Sequence, residues 1–362
     1  MKALTRIFAL AICLILAIGC FTGCHEKGEI AVTIGDVEFT SGYYACALVF
    51  SDSEARSKVE DALSEKGALP EEIDYWEQKV ENKDYEQWVR DDALLTLKNI
   101  AAVKTLSAKD KYTLDAETKS VSENESEYLW ESYGYKDLLE QNGVSEQTFK
   151  EYMLDSYLMD KYFEFVYGKG GKKEISADTL SKYLADNYVL TNKLEVSFSS
   201  LKDEQKTDKK EQFANFEKAL KDGTKTFEDV YLEYNEIKKE DHKHEEAKED
   251  EILPKDQHAT VIGNEGTGYA SEHFETAKKM AVGEVKVITL EENAGLVLLV
   301  RKDISADPYY IETFDLMLRE ELEGENYSDE IEKYGKSLDC TVNDFSIDQF
   351  DIEEIVYPKI AY

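Results

Sequence analysis

The chain has 362 residues, 42% of them hydrophobic, which is enough for two or three domains with real cores. Its net charge is −34, so the phosphates of a nucleic acid would repel it, and an anionic bilayer would keep it from lying flat. That charge favours solubility and attracts basic or unfolded cationic chains at low salt.

The N-terminus reads as an export signal. Lys2 and Arg6 form a positive start, and residues 7–21 (IFALAICLILAIGCF) are apolar apart from Gly19. The run is shorter than the roughly 20 residues of a membrane span. It stops sharply at His25, Glu26 and Lys27. Small residues precede both Cys20 and Cys24, an arrangement that resembles a lipobox, where the cysteine is lipidated and becomes the mature N-terminus. Cys24 is favoured because cleavage there removes the whole apolar run as signal peptide 1–23; Cys20 is the alternative. The expected location is the outer face of the cell membrane, held by the lipid. Cleavage at Cys24 leaves Cys46 and Cys340 as the other cysteines. They could pair, or stand as buried free thiols; this is not a disulfide-dense scaffold.

Residues 30–39 (IAVTIGDVEF) predict a strand, a Gly-Asp turn and a second extended stretch. Thr40 or Ser41 can cap a helix beginning near Tyr43. Val89, Ala93, Leu97, Ile100 and Val103 make one apolar helical face. Residues 127–139 form another helix, ended by Asn142 and Gly143. Ser145 caps a helix from Glu146 to about Tyr167, which the glycines after it break. Ser176 caps a shorter one reaching Tyr183 and Tyr188. From Lys193 the pattern changes. Residues 194–201 (LEVSFSSL) alternate as a strand. A helix over 212–221 follows, and Thr226 to Asp229 has capping-box form before another. Residues 238–251 (KKEDHKHEEAKEDE) are a charged insert with no apolar period, so a solvated loop. Residues 274–280 form a short helix, and 285–290 with 295–301 suit a hairpin. The order implies a small α+β domain near 193–304. A helix resumes from Tyr310 to about Leu338, and the tail reads as extended segments.

Residues 30–42, 142–188, 216–234 and 270–304 together resemble the extracytoplasmic foldase lipoproteins of the PrsA and SurA type. Phe216 to Tyr234 (FEKALKDGTKTFEDVYLEY) matches that family's helix pair, and 270–304 (ASEHFETAKKMAVGEVKVITLEENAGLVLLVRKDI) resembles its closing segment. The resemblance covers most of residues 30–340. It implies an α+β protein with a mostly helical chaperone lobe and an inserted parvulin-type prolyl isomerase domain. The expected divisions are 24–190 for the helical lobe, 191–305 for the parvulin-like domain, and 306–362 completing the lobe. Its implied partners are unfolded or newly secreted polypeptides; no cofactor is implied.

Prolyl isomerisation makes no covalent bond. Its barrier of roughly 18–20 kcal/mol is lost amide resonance, lowered by gripping proline in an apolar pocket and hydrogen-bonding the twisted amide. The resemblance implies two histidines, in the first and last strands, and a Met and a Phe lining the pocket. Ser197 or Phe198 stands at the first histidine and Val297 at the second. Ala270 stands at the Met, and only Phe274 matches the pocket, where plain core packing is the competing reading. The middle loop gives way to the charged insert. The expectation is a foldase with weak or absent isomerase activity. The alternatives are a working isomerase and a non-catalytic envelope lipoprotein with one dedicated partner.

His242 and His244, with Asp241, Glu245 and Glu246, carry zinc or nickel chemistry, but a pair two residues apart in a charged loop lacks pre-organisation, so no metal site is expected. His258 and His273 show no partner and read as exposed. No P-loop, GxSxG, HExxH or paired CxxC occurs. Tyr43, Tyr44, Tyr75, Tyr85, Tyr128, Tyr133, Tyr135, Tyr152, Tyr157 and Tyr162 crowd the helical lobe, where exposed ones would suit adaptable contact with unfolded chains and buried ones belong to its core.

Overall fold

The computed structural model describes residues 29–67, 73–247, 252–263, 269–290 and 293–357. Cys20, Cys24 and the expected export signal lie outside them. No described helix is long and apolar enough to cross a membrane. The fold is mixed α+β, in two compact units: one up to Lys173 and again from Glu323, the other from Glu174 to Leu322.

The first unit opens with β1 (Ile30–Ile34) and β2 (Val37–Thr40), joined at Gly35 and Asp36. Thr40 Oγ1 accepts from the Tyr43 amide at 3.2 Å and so caps α1 (Ser41–Glu65). A minimal hairpin of β3 (Lys79–Val80) and β4 (Lys83–Asp84) precedes α2 (Tyr85–Asp110). The predicted stripe on α2 is real: Val89, Ala93, Leu97, Ile100 and Val103 are all 0–2% exposed. Residues 127–139 are not one helix. Gly134, at φ +77, separates α3 (Ala116–Ser132) from α4 (Tyr135–Gln141). A side chain is strained in that left-handed backbone, so Gly134→Ala is expected to lower stability by about 1 kcal/mol in urea unfolding. Ser145 caps α5 (Glu146–Tyr167) as predicted, its Oγ 3.1 Å from the Thr148 amide.

The second unit begins at α6 (Ala177–Asn187), earlier than the division expected at 190. The reason is packing: Leu180 and Leu184 share a core with Leu190, Ile304, Tyr310 and Leu318. For the same reason this unit runs past 305 to Leu322. Strand β5 (Tyr188–Ser197) starts six residues before the predicted strand. Then come α7 (Asp203–Lys221), α8 (Phe227–Tyr234), β6 (Ala259–Gly263), α9 (Tyr269–Lys279), β7 (Val285–Thr289) and β8 (Gly295–Lys302). Strand β6 was not anticipated. The sheet order is β6-β5-β8-β7, antiparallel throughout. One face packs Leu194, Phe198, Leu296 and Leu298 against Phe213, Phe216, Phe227 and Val230 of α7 and α8. The other packs Val189, Ile288, Val297 and Leu299 against Phe274 and Ala277 of α9. Gly295 is required where β8 begins, because a Cβ there would lie 2.3 Å from the Val196 carbonyl oxygen.

The predicted helix over 310–338 is two, α10 (Pro308–Thr313) and α11 (Asp315–Ser337). The tail is not simply extended. Strand β9 (Cys340–Val342) adds to β1, pairing Ile34 with Cys340 and Val32 with Val342, and α12 (Asp344–Ile347) follows. Ile352 is 1% exposed in the core of the first unit. Within that core Asp52, 0% exposed, accepts hydrogen bonds from Tyr85 Oη at 2.8 Å, Arg56 Nε at 2.8 Å and Tyr357 Oη at 2.7 Å. One buried carboxylate thus ties α1, α2 and the tail together.

Candidate functional site

Strands β5 and β8 position the residues at the expected catalytic places. Glu195 opposes Val297, Ser197 opposes Gly295, and the Phe198 amide donates to the Ala294 carbonyl at 2.7 Å. Opposed residues in an antiparallel pair share a face, and successive residues alternate. Ser197 therefore shares its face with Val297, whereas Phe198 points to the other face. There Phe198 is 3% exposed, packed with Phe213 and Phe216. Val297 is 0% exposed among Val189, Ile288, Leu299 and Phe274. Ser197 is exposed, its hydroxyl 3.0 Å from that of Ser199.

Of the two positions expected for the first histidine, only Ser197 can act with Val297 on one surface. Neither carries an imidazole, and Val297 has no polar atom to offer a twisted amide. Phe274 is 5% exposed, inside the apolar cluster. Of Ala270 only the helical backbone is described.

The described part of the charged insert, residues 238–247, is an exposed loop as expected, and it is tied down at Glu245. Gln257 Oε1 accepts from the Glu245 amide at 2.7 Å, and Gln257 Nε2 donates to the Glu245 carbonyl at 2.8 Å. This reciprocal pair brings His258, expected to stand alone, beside His242 and His244. The three rings lie 4.9–5.2 Å apart by centroids, and one ligand nitrogen from each falls within 4.8 Å of the others. Tyr231 packs on His258 with centroids 4.4 Å apart. Burial, reinforced by the two neighbouring imidazoles, lowers the His258 pKa below its ordinary value. The signal in the sequence was the apolar run just after His258, which forms β6 and fixes that residue at a strand entrance. His273, also expected exposed, is 3% exposed.

The tyrosines divide sharply. Tyr43, Tyr44, Tyr85 and Tyr162 are at most 5% exposed, and Tyr75, Tyr135, Tyr152 and Tyr157 are half-buried. Of the ten, Tyr128 and Tyr133 are exposed, at 57% and 65%, with rings edge to face at 5.5 Å. A cavity of about 310 Å³ in the first unit is lined by Leu106, Tyr162, Val166, Tyr327, Ile331 and Tyr334. Lys109, Lys172 and Lys173 stand at it; Lys172 pairs with Asp110 and Lys173 with Glu330. Cys46 is buried and Cys340 exposed, both as free thiols.

No protein-family model matches the chain, and no curated protein matches it. Among solved structures it is similar to the foldase protein PrsA from Streptococcus pneumoniae str. Canada MDR_19A, with TM-score 0.37 and 13% identity over 75% of this chain and 97% of that one. It is also similar to PrsA from Bacillus subtilis, with TM-score 0.29 and 16% identity over 76% of this chain and 96% of that one. Superpositions this loose carry no residue-by-residue correspondence, so the site is read from this chain's own geometry.

Proposed function

We propose that this chain is an extracytoplasmic foldase that holds unfolded polypeptides, with weak or no prolyl isomerase activity, anchored by lipid on Cys24. The observation that carries the reading is the fate of the two expected catalytic positions. Val297 is buried in an apolar core, and Ser197, the first position that shares its face, offers an exposed hydroxyl and no imidazole. Such a face keeps the framework but lacks the pair of imidazoles that the family resemblance implies for stabilising a twisted amide. The parvulin-like unit then acts as a binding or spacing module. Holding falls to the helical lobe, where the tyrosine-lined cavity pairs apolar ring faces with lysines. With Lys172 and Lys173 already paired to Asp110 and Glu330, that lining suits apolar stretches of an extended chain. The sequence resemblance along residues 30–340 supports the same reading.

The test is proline-limited refolding of an unrelated client, followed for both rate and yield. The expected result is an unchanged slow phase, of the tens-of-seconds kind that prolyl isomerisation sets, with a higher yield of folded client. An accelerated slow phase would show an active isomerase and overturn the assignment of Val297. No effect on either rate or yield would overturn the foldase reading.

A further inference from the structure

We propose that His242, His244 and His258 form a binding site for one imidazole-preferring divalent transition ion, zinc first among them. The three donors come from two separate stretches of chain and converge. Their ligand nitrogens all lie within 4.8 Å of one another. Two nitrogens bound to one tetrahedral zinc at roughly 2.0–2.1 Å stand about 3.3 Å apart, so side-chain rotations of the order of an ångström close the site.

Three observations beyond proximity support an ion. The Nε2 atoms of His242 and His258 are both buried with no hydrogen-bond partner. A buried polar nitrogen is normally satisfied, and here two on adjoining rings are not. Next, the arrangement is held from outside. The Gln257–Glu245 pair clamps the insert, and Tyr231 backs the His258 ring. Finally, a carboxylate lies beside the cluster, with Glu228 Oε1 3.7 Å from His244 Nε2. At that distance it places negative charge beside a cation without a hydrogen bond to the ring.

The donor set decides the class of ion. Neutral imidazoles suit zinc, nickel and copper, whereas magnesium and calcium require oxygen ligands. Three protein ligands leave a fourth position for water or another ligand, and the three histidines line a cavity of about 390 Å³ together with Pro254, Gln257 and Tyr309. The ion would fasten the insert to the chain just before β6. That role does not depend on isomerase or holding activity.

The test is titration of the purified protein with Zn²⁺ alone, in competition with a chelating dye, repeated for H244A, H258A and H25A. Expected are one ion per chain, at least a tenfold weaker Kd in H244A and H258A, and no change in H25A. Co²⁺ should give the intense visible bands of a four-coordinate ion in the parent and lose them in H244A. His244 is 42% exposed by side chain, so H244A keeps its fold and decides the matter even if H258A does not. Zinc binding unchanged in H244A, or equal displacement by millimolar Mg²⁺, would mean adventitious capture by the acidic surface and would overturn the site.

Discussion

Asp52→Ala is expected to destabilise the helical unit by roughly 3–5 kcal/mol, since removing one partner of a buried charged network leaves the others unsatisfied. Two tyrosine hydroxyls and the Arg56 guanidinium converge on that carboxylate, and truncation removes it from all three, leaving Tyr85 Oη only the residue-52 carbonyl at 3.1 Å. Tyr357→Phe removes one of the bonds and should cost about 1–2 kcal/mol. Urea unfolding of both variants measures the difference; a loss below 1 kcal/mol for Asp52→Ala would show that the network is dispensable. The same cluster gives a pH signature. Burial, with Asp52 beside them, raises the pKa of Tyr85 and Tyr357 well above the ordinary tyrosine value. Above about pH 10 the unfolded chain loses those protons while the folded chain keeps them, so stability falls as pH rises.

Val297→His is expected to lower the stability of the second unit by about 2–4 kcal/mol, the cost of an imidazole without partners in an apolar site. It should not create isomerase activity. Nor should Phe198→His with Val297→His, because those two side chains point to opposite faces. Ser197→His with Val297→His is the pair that shares a face. Thermal unfolding and a proline-limited refolding rate distinguish these outcomes. A rate gain from the Phe198 pair alone would show that the strand register is wrong.

Much of this fold was legible because its signals are local. The α2 stripe, the Thr40 and Ser145 caps and the β7–β8 hairpin each rest on residues within a few positions of one another. What escaped depends on distant partners. Strand β6 is five residues long and is stabilised by pairing with β5. The break at Gly134 fell inside a run rich enough in aromatic residues to mask it. Ser197 and Phe198 could not be separated from sequence, since a one-residue shift reverses the face. The register places them. His258 was missed for the same reason as β6: its neighbours are brought in by the fold of the insert.

Strand β9 has a consequence for how the protein is made. Strand β1 lies near the start of the chain, yet one of its two neighbours is written near the end. During synthesis, the second unit is contiguous and has all its strands while the tail is still missing. The helical unit waits for the last residues, with one edge of β1 unpaired until they arrive. Closing a loop of roughly 300 residues costs about 5 kcal/mol of chain entropy. Early compaction of the second unit shortens the loose chain and lowers that cost, so a truncation just before residue 340 would leave the early-made half the less complete of the two.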